Sequence, residues 1–146
     1  MASSATHTTS DEHETGIVAA TLAARLTAGD VVWLRGPIGA GKTTFVRSAC
    51  EALGVTEPVT SPTFTTAHAY TTSSGRRVSH LDLYRAERLS SSDLGDLDPY
   101  LDDDTIVFVE WPDAGTGVLP DATVTVTIEA TGERERRITI TPTMHV

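Results

Sequence analysis

The chain predicts an α/β fold in three layers, with a mixed sheet that is parallel at its centre and ends in an antiparallel C-terminal hairpin. Three observations carry that expectation. Two short, nearly continuous apolar runs, residues 31–35 and 105–109, have the composition of strands buried on both faces. The first leads through a glycine-rich turn straight into a helical stretch, 43–53, which Gly54 closes. Residues 122–129 and 135–141 alternate apolar and polar side chains on either side of a turn at Thr131-Gly132, the pattern of a hairpin.

The remaining segments follow in order. Residues 1–9 are small and polar and read as a disordered N-terminal tail, leaving 10–146 as one domain. A helix begins after Ser10 and Asp11, which can cap it. Glu12 and Glu14 suit its first turn, Val18, Leu22 and Leu26 recur every four residues, and Gly29-Asp30 ends it. Turn signals at Glu57-Pro58 and Ser61-Pro62 precede a β-rich stretch, 64–72. Ser73-Ser74-Gly75 reads as a hairpin tip and 77–83 as the returning strand. Residues 86–97 read as a short helix or two, and 115–120 as a loop.

Composition narrows the function classes. With 146 residues, 39% hydrophobic and 21% charged, the chain is long enough to bury a core. A net charge of -9 argues against gripping nucleic acid unaided, since phosphate contacts need a basic footprint. The single cysteine, Cys50, allows no internal disulfide. The N-terminus lacks the basic start and apolar core of a signal peptide, and no apolar run approaches the roughly 20 residues that span a bilayer. The expectation is a soluble cytoplasmic protein.

The strongest chemical signal is Gly36-Pro37-Ile38-Gly39-Ala40-Gly41-Lys42-Thr43. Two glycines bracket four residues, and lysine and a hydroxyl follow. That spacing turns backbone N–H groups inward to cradle phosphates at a helix N-terminus. It predicts a P-loop NTPase fold that binds ATP. Lys42 reaches the β- and γ-phosphates, the Thr43 hydroxyl holds Mg²⁺, and Thr44 lies on the α-phosphate side. Ordinary residue frequencies produce such a match in this length about half a per cent of the time. The strand before it and helix after it supply the right context.

Three further segments gain meaning beside that loop. Glu110 ends the apolar run Ile106-Val107-Phe108-Val109, where an acid can hold Mg²⁺ or polarise a water; the plain alternative is an acid leaving the core. Trp111 is either a packed aromatic or a contact for nucleotide or partner. In His80-Leu81-Asp82-Leu83-Tyr84-Arg85, a strand sets His80, Asp82 and Tyr84 on one face. Asp82 is then a second acid, sharing the Mg²⁺ water shell or acting as base, or else an aspartate satisfied by Arg85 or a backbone cap. For His80 the simpler reading is a hydrogen-bonded histidine without a catalytic task. Thr60-Ser61-Pro62-Thr63-Phe64-Thr65 is by itself a turn leading into a strand; beside the phosphate loop it becomes a switch segment whose hydroxyls could sense a γ-phosphate. His7, His13, His68, His145 and Cys50 have no partners at metal spacing.

Together these segments resemble the TsaE family, small bacterial P-loop ATPases of tRNA threonylcarbamoyladenosine (t6A) synthesis. The likeness rests on residues 39–45 with Arg47, then Ser61-Pro62-Thr63-Phe64-Thr65 and His80-Leu81-Asp82-Leu83-Tyr84-Arg85. It continues through Val109-Glu110-Trp111-Pro112 and residues 115–120. The resemblance implies slow Mg²⁺-dependent ATP hydrolysis. It also implies docking on a heterodimer of the threonylcarbamoyl transferase and its inactive paralogue, of the TsaD and TsaB type, which is reset rather than replaced in its chemistry. tRNA would be met only through those partners, with no membrane. On the family pattern Thr43 and Glu110 bind the metal, Asp82 supports hydrolysis with Lys42, and Trp111 lies near the nucleotide held by Gly39, Ala40, Gly41, Lys42, Thr43 and Thr44. Two positions depart from the pattern: Asp113 stands where glutamate or glutamine is common, and Pro37-Ile38 replaces a polar or acidic residue and leucine, removing one loop donor. Two alternatives remain: a small-molecule kinase, and a nucleotide-gated scaffold that needs no turnover. Glu12 and Thr15, on the helix that precedes the first strand, are candidates to face adenine.

Overall fold

The computed structural model describes residues 4–59, 67–84, 96–115, 117 and 119–143. Its elements are β1 (Ala5–Thr9), α1 (Glu12–Ala23), β2 (Val31–Arg35), α2 (Lys42–Leu53), β3 (Ala67–Thr71), β4 (Arg77–Asp82), β5 (Thr105–Glu110), β6 (Val124–Ala130) and β7 (Arg136–Pro142). The strands form one seven-stranded sheet in the order β1-β7-β6-β2-β5-β4-β3. The central pairs β6–β2, β2–β5 and β5–β4 are parallel, and β1–β7, β7–β6 and β4–β3 are antiparallel. This is the mixed α/β sheet that the sequence predicts, with a second antiparallel hairpin at the far edge.

Alternation along the central strands splits the core in two. Val32, Leu34, Ile106 and Phe108 pack with Phe45, Val46, Ala49 and Leu53 of α2 on one face. Val31, Val107 and Val109 pack on the other with Leu81, Leu83, Leu97 and Leu119. Short 3-10 turns at Asp98–Tyr100 and Pro112–Gly115 flank that second face. The sequence expectations for residues 61–65, and for most of a helix over 86–97, lie outside the described residues.

Two expectations are corrected. The first concerns the N-terminal segment, read as a tail. Ala5–Thr9 instead pairs along β7, from Ala5 opposite Ile140 to Thr9 opposite Arg136. A free β7 edge would leave a row of unpaired amides, and threonine-rich sequence suits a solvated edge strand. The second concerns the first helix. Its fully buried positions are Thr15, Ala19 and Ala23, while Val18 and Leu22 are only partly covered. Small side chains on that face let α1 lie close to α2. At Gly16 an added methyl group would meet Ser48 Oγ at 3.1 Å. The helix ends at Ala23, six residues before Gly29, and Leu26 reaches the core from the turn beyond. Its N-terminus is capped by Asp11, whose Oδ1 accepts from Glu14 N at 2.9 Å, while Glu14 Oε1 accepts from Ser10 N at 2.7 Å.

Among the described residues no helix is long and apolar enough to cross a membrane. Phe45 has no exposed surface, and truncation to alanine leaves a cavity under the sheet. Phe45→Ala is expected to lose about 3–5 kcal/mol of stability in urea melts, with an unchanged denaturant slope. Burial also pushes the Cys50 thiol up to about 12. Native protein at pH 8 should therefore resist a thiol-specific colorimetric reagent and react only after unfolding. Rapid reaction in native buffer would show that α2 opens locally.

Candidate functional site

The loop between β2 and α2 is shaped by its glycines and by Pro37. At Gly36, φ is +151° and an added Cβ would sit 2.4 Å from the Ile128 carbonyl of β6, so no side chain fits without moving the sheet. Ala40 N donates to Pro37 O at 3.1 Å, which closes a tight turn. Gly41 then adopts a left-handed conformation, φ +106°, and caps α2 with backbone alone. Pro37 contributes here through its carbonyl, so the missing N–H takes nothing from this turn. That carbonyl also accepts from Lys42 Nζ at 2.9 Å, and Gly36 O accepts from the same ammonium at 2.6 Å.

Lys42 is the electrostatic centre of the loop. Its ammonium lies 4.1 Å from the centroid of the Trp111 ring. Burial lowers its pKa below the usual lysine value, against the opposing pull of the Glu110 and Asp82 carboxylates. Trp111 reaches this position through a left-handed backbone, φ +59°, uncommon outside glycine and worth about 1–3 kcal/mol of strain. Its amide donates to Leu34 O at 3.3 Å, and its ring tilts against Tyr84 at 4.9 Å between centroids. Trp111 is thus packed, as one of its two sequence readings has it, and its ring also lines the cavity.

Beneath the loop, Glu110 ends β5 opposite both Leu34 of β2 and Asp82 of β4. Thr43 Oγ1 lies 3.2 and 3.0 Å from the two carboxylate oxygens of Glu110. Glu110 Oε2 also accepts from His80 Nε2 at 2.5 Å. Asp82 Oδ1 accepts from Tyr84 N at 3.0 Å, the backbone-capped arrangement weighed from the sequence, and Asp82 also faces the same space.

That space is a cavity of about 900 Å³. Of the residues singled out from the sequence, Gly39, Ala40, Gly41, Lys42, Thr43 and Thr44 line it from the loop, with Asp82, Glu110 and Trp111 below, while His80 lies behind Glu110 and the segment 60–65 lies outside the described residues. Glu12 and Thr15 line it from α1. Among the described residues no cluster of three histidine, cysteine or carboxylate side chains stands ready to hold a metal. The oxygen pair of Thr43 and Glu110 nevertheless suits Mg²⁺, which is bound through one or two protein oxygens together with phosphates and waters.

Sequence reasoning missed the opposite wall, where Glu133, Arg134 and Arg136 of the β6–β7 hairpin line the cavity. Arg136 Nε donates to Ala40 O at 2.8 Å, and its Nη1 donates to Glu135 O at 2.8 Å and Gly132 O at 3.2 Å. One guanidinium thus ties the hairpin turn to the outward carbonyl of the phosphate loop. No spacing signal announces it, because only the order β7-β6-β2 brings residue 136 over the loop that follows β2.

The family described as "Threonylcarbamoyl adenosine biosynthesis protein TsaE" matches residues 9–138. The chain belongs to the TsaE family. The matched range contains every residue named above as lining the cavity. A Bacillus subtilis relative named "tRNA threonylcarbamoyladenosine biosynthesis protein TsaE" is 40% identical over 133 residues, covering 91% of this chain and 82% of its own. A Streptomyces coelicolor relative of the same name is 39% identical over 126 residues, covering 82% and 84%. The crystal structure of Bacillus subtilis YdiB superposes with a TM-score of 0.79 at 33% identity, over 97% of this chain and 87% of that one.

Were the cavity to hold ATP, as the loop sequence predicts, Arg136→Gln would weaken that binding about tenfold, a loss of about 1.4 kcal/mol, while the fold would lose only about 1 kcal/mol. Calorimetric titration and thermal melts check both. Unchanged affinity would show that the phosphate loop keeps its shape without the arginine.

Proposed function

We propose that the chain is a Mg²⁺-dependent ATPase, weak on its own, that serves t6A modification of tRNA from the cytoplasm. The observation that carries this reading is the contact between the Thr43 hydroxyl and the Glu110 carboxylate directly under a glycine loop whose lysine is already buried. Loop amides and Lys42 would bind and charge-match the triphosphate. Thr43 and Glu110 would hold the magnesium ion, which when bound neutralises charge developing on the phosphates. Asp82, one strand away on the same face, is suited to orient the attacking water. Trp111 and Tyr84 cover the lysine side of the cavity and limit access of bulk water.

Family membership supports the pathway, and charge supports the manner of action. A net charge of -9 argues against gripping tRNA unaided, so the transferase and its inactive paralogue, of the TsaD and TsaB type, would bring the substrate. ATP turnover then acts on that complex and not on the threonylcarbamoyl group.

Two measurements test this. Purified protein should hydrolyse ATP in a Mg²⁺-dependent way, and Glu110→Gln should lower kcat about 100-fold or more with smaller change in ATP affinity. Depleting the protein in cells should lower t6A in bulk tRNA; an unchanged level, with no second copy of the gene, rejects the pathway. Asp82→Ala separates turnover from gating. Loss of hydrolysis with t6A preserved would mean that ATP binding alone is sufficient.

A further inference from the structure

Resting on the proposed metal-nucleotide site, we infer that His80 is a positioning residue for Glu110, and through it sets the affinity of the site for its divalent cation. His80 is wholly buried in β4 and Glu110 is 3% exposed at the end of β5. The parallel register sets His80 beside Phe108 and Asp82 beside Glu110, so the imidazole reaches the carboxylate diagonally on the face that carries α2. A carboxylate only accepts, so the 2.5 Å contact with Glu110 Oε2 requires the hydrogen on His80 Nε2. Thr43 has a single hydroxyl hydrogen and can satisfy only one carboxylate oxygen at a time. The terminal torsion of a glutamate is broad and weakly restrained. Among the described residues, His80 is the other donor that fixes the plane of this carboxylate.

The remaining ring nitrogen supports the argument. Among the described residues, His80 Nδ1 is buried with no hydrogen-bond partner. An unpaired buried polar atom costs about 1–3 kcal/mol, and the same strand fills other buried positions with Val78 and Leu81 without that penalty. A histidine serving only to fill space has no reason to be here. One that holds Glu110 does. Held this way, Oε2 stays directed at the imidazole, and Oε1 with the Thr43 hydroxyl remains on the cavity side for a cation.

The test uses full-length protein with a non-hydrolysable ATP analogue and Mn²⁺ in place of Mg²⁺, following free Mn²⁺ by electron paramagnetic resonance. His80→Gln places an amide N–H where Nε2 stood. His80→Asn falls short of it, and His80→Leu fills the space with no donor and keeps the variant folded should asparagine leave a gap. The expected result is Mn²⁺ affinity weakened about tenfold or more in the Asn and Leu variants, the range for partners that orient metal ligands. The Gln variant should stay near wild type, and metal-free affinity for the analogue should be unchanged in all three. A folded donor-less variant that binds Mn²⁺ as tightly as wild type overturns the inference, as does a Gln variant as weak as Leu. Wild-type protein that binds no Mn²⁺ with the analogue would instead sink the metal-nucleotide reading itself.

Discussion

Strand β5 is buried at every position, and its last residue is a glutamate. Placing a carboxylate at the end of a core strand is costly unless its oxygens are met by hydrogen-bond donors. The parallel register supplies them. Leu34 on one side carries the chain into the phosphate loop and so places Thr43 above Glu110; Asp82 on the other side brings His80 underneath. The sheet order β6-β2-β5-β4 is therefore also the wiring of the site. Slipping either neighbour by one residue would turn its side chains to the opposite face and leave the glutamate unpaired in the core.

Around that anchor the structure accepts local strain and a crowded charge. Trp111 adopts a left-handed backbone in the residue after Glu110, and its ring lies over the Lys42 ammonium. Lys42 is buried by its own loop carbonyls as well as by that ring. Arg136 braces the outer side of the loop from the hairpin. Fixed backbone dipoles and buried charges of this kind would need no reorganisation for the polyanion proposed above, which is how a preorganised site gains over water. The same packing explains why Pro37 is tolerated: its carbonyl, and not an N–H, is the group this turn uses.

Much of this was legible in the sequence, for reasons that differ from one element to the next. The phosphate loop is readable because left-handed backbone turns and close approach to β6 demand glycine at fixed intervals. Strands β2 and β5 are readable because burial on both faces leaves an uninterrupted apolar run, and β6–β7 because one exposed face imposes alternation. The rest depends on neighbours far along the chain. β1 is polar and becomes a strand only because β7 offers an open edge. The inner face of α1 is drawn in small residues because α2 lies close, so its larger residues misled the helical pattern. His80 and Arg136 acquire roles only from sheet register and order, which no local spacing encodes. The proposed switch at 61–65 falls outside the described residues.

The central claim is that Thr43 and Glu110 form one cation-holding pair beneath a triphosphate. A crystal structure with Mn²⁺ and a non-hydrolysable ATP analogue, phased for anomalous scattering, tests it most directly. The account predicts one strong manganese peak beside the bound phosphates, held by Thr43 Oγ1 and by Glu110, directly or through water. Phosphates seated in the loop with the manganese elsewhere, touching neither Thr43 nor Glu110, would contradict it.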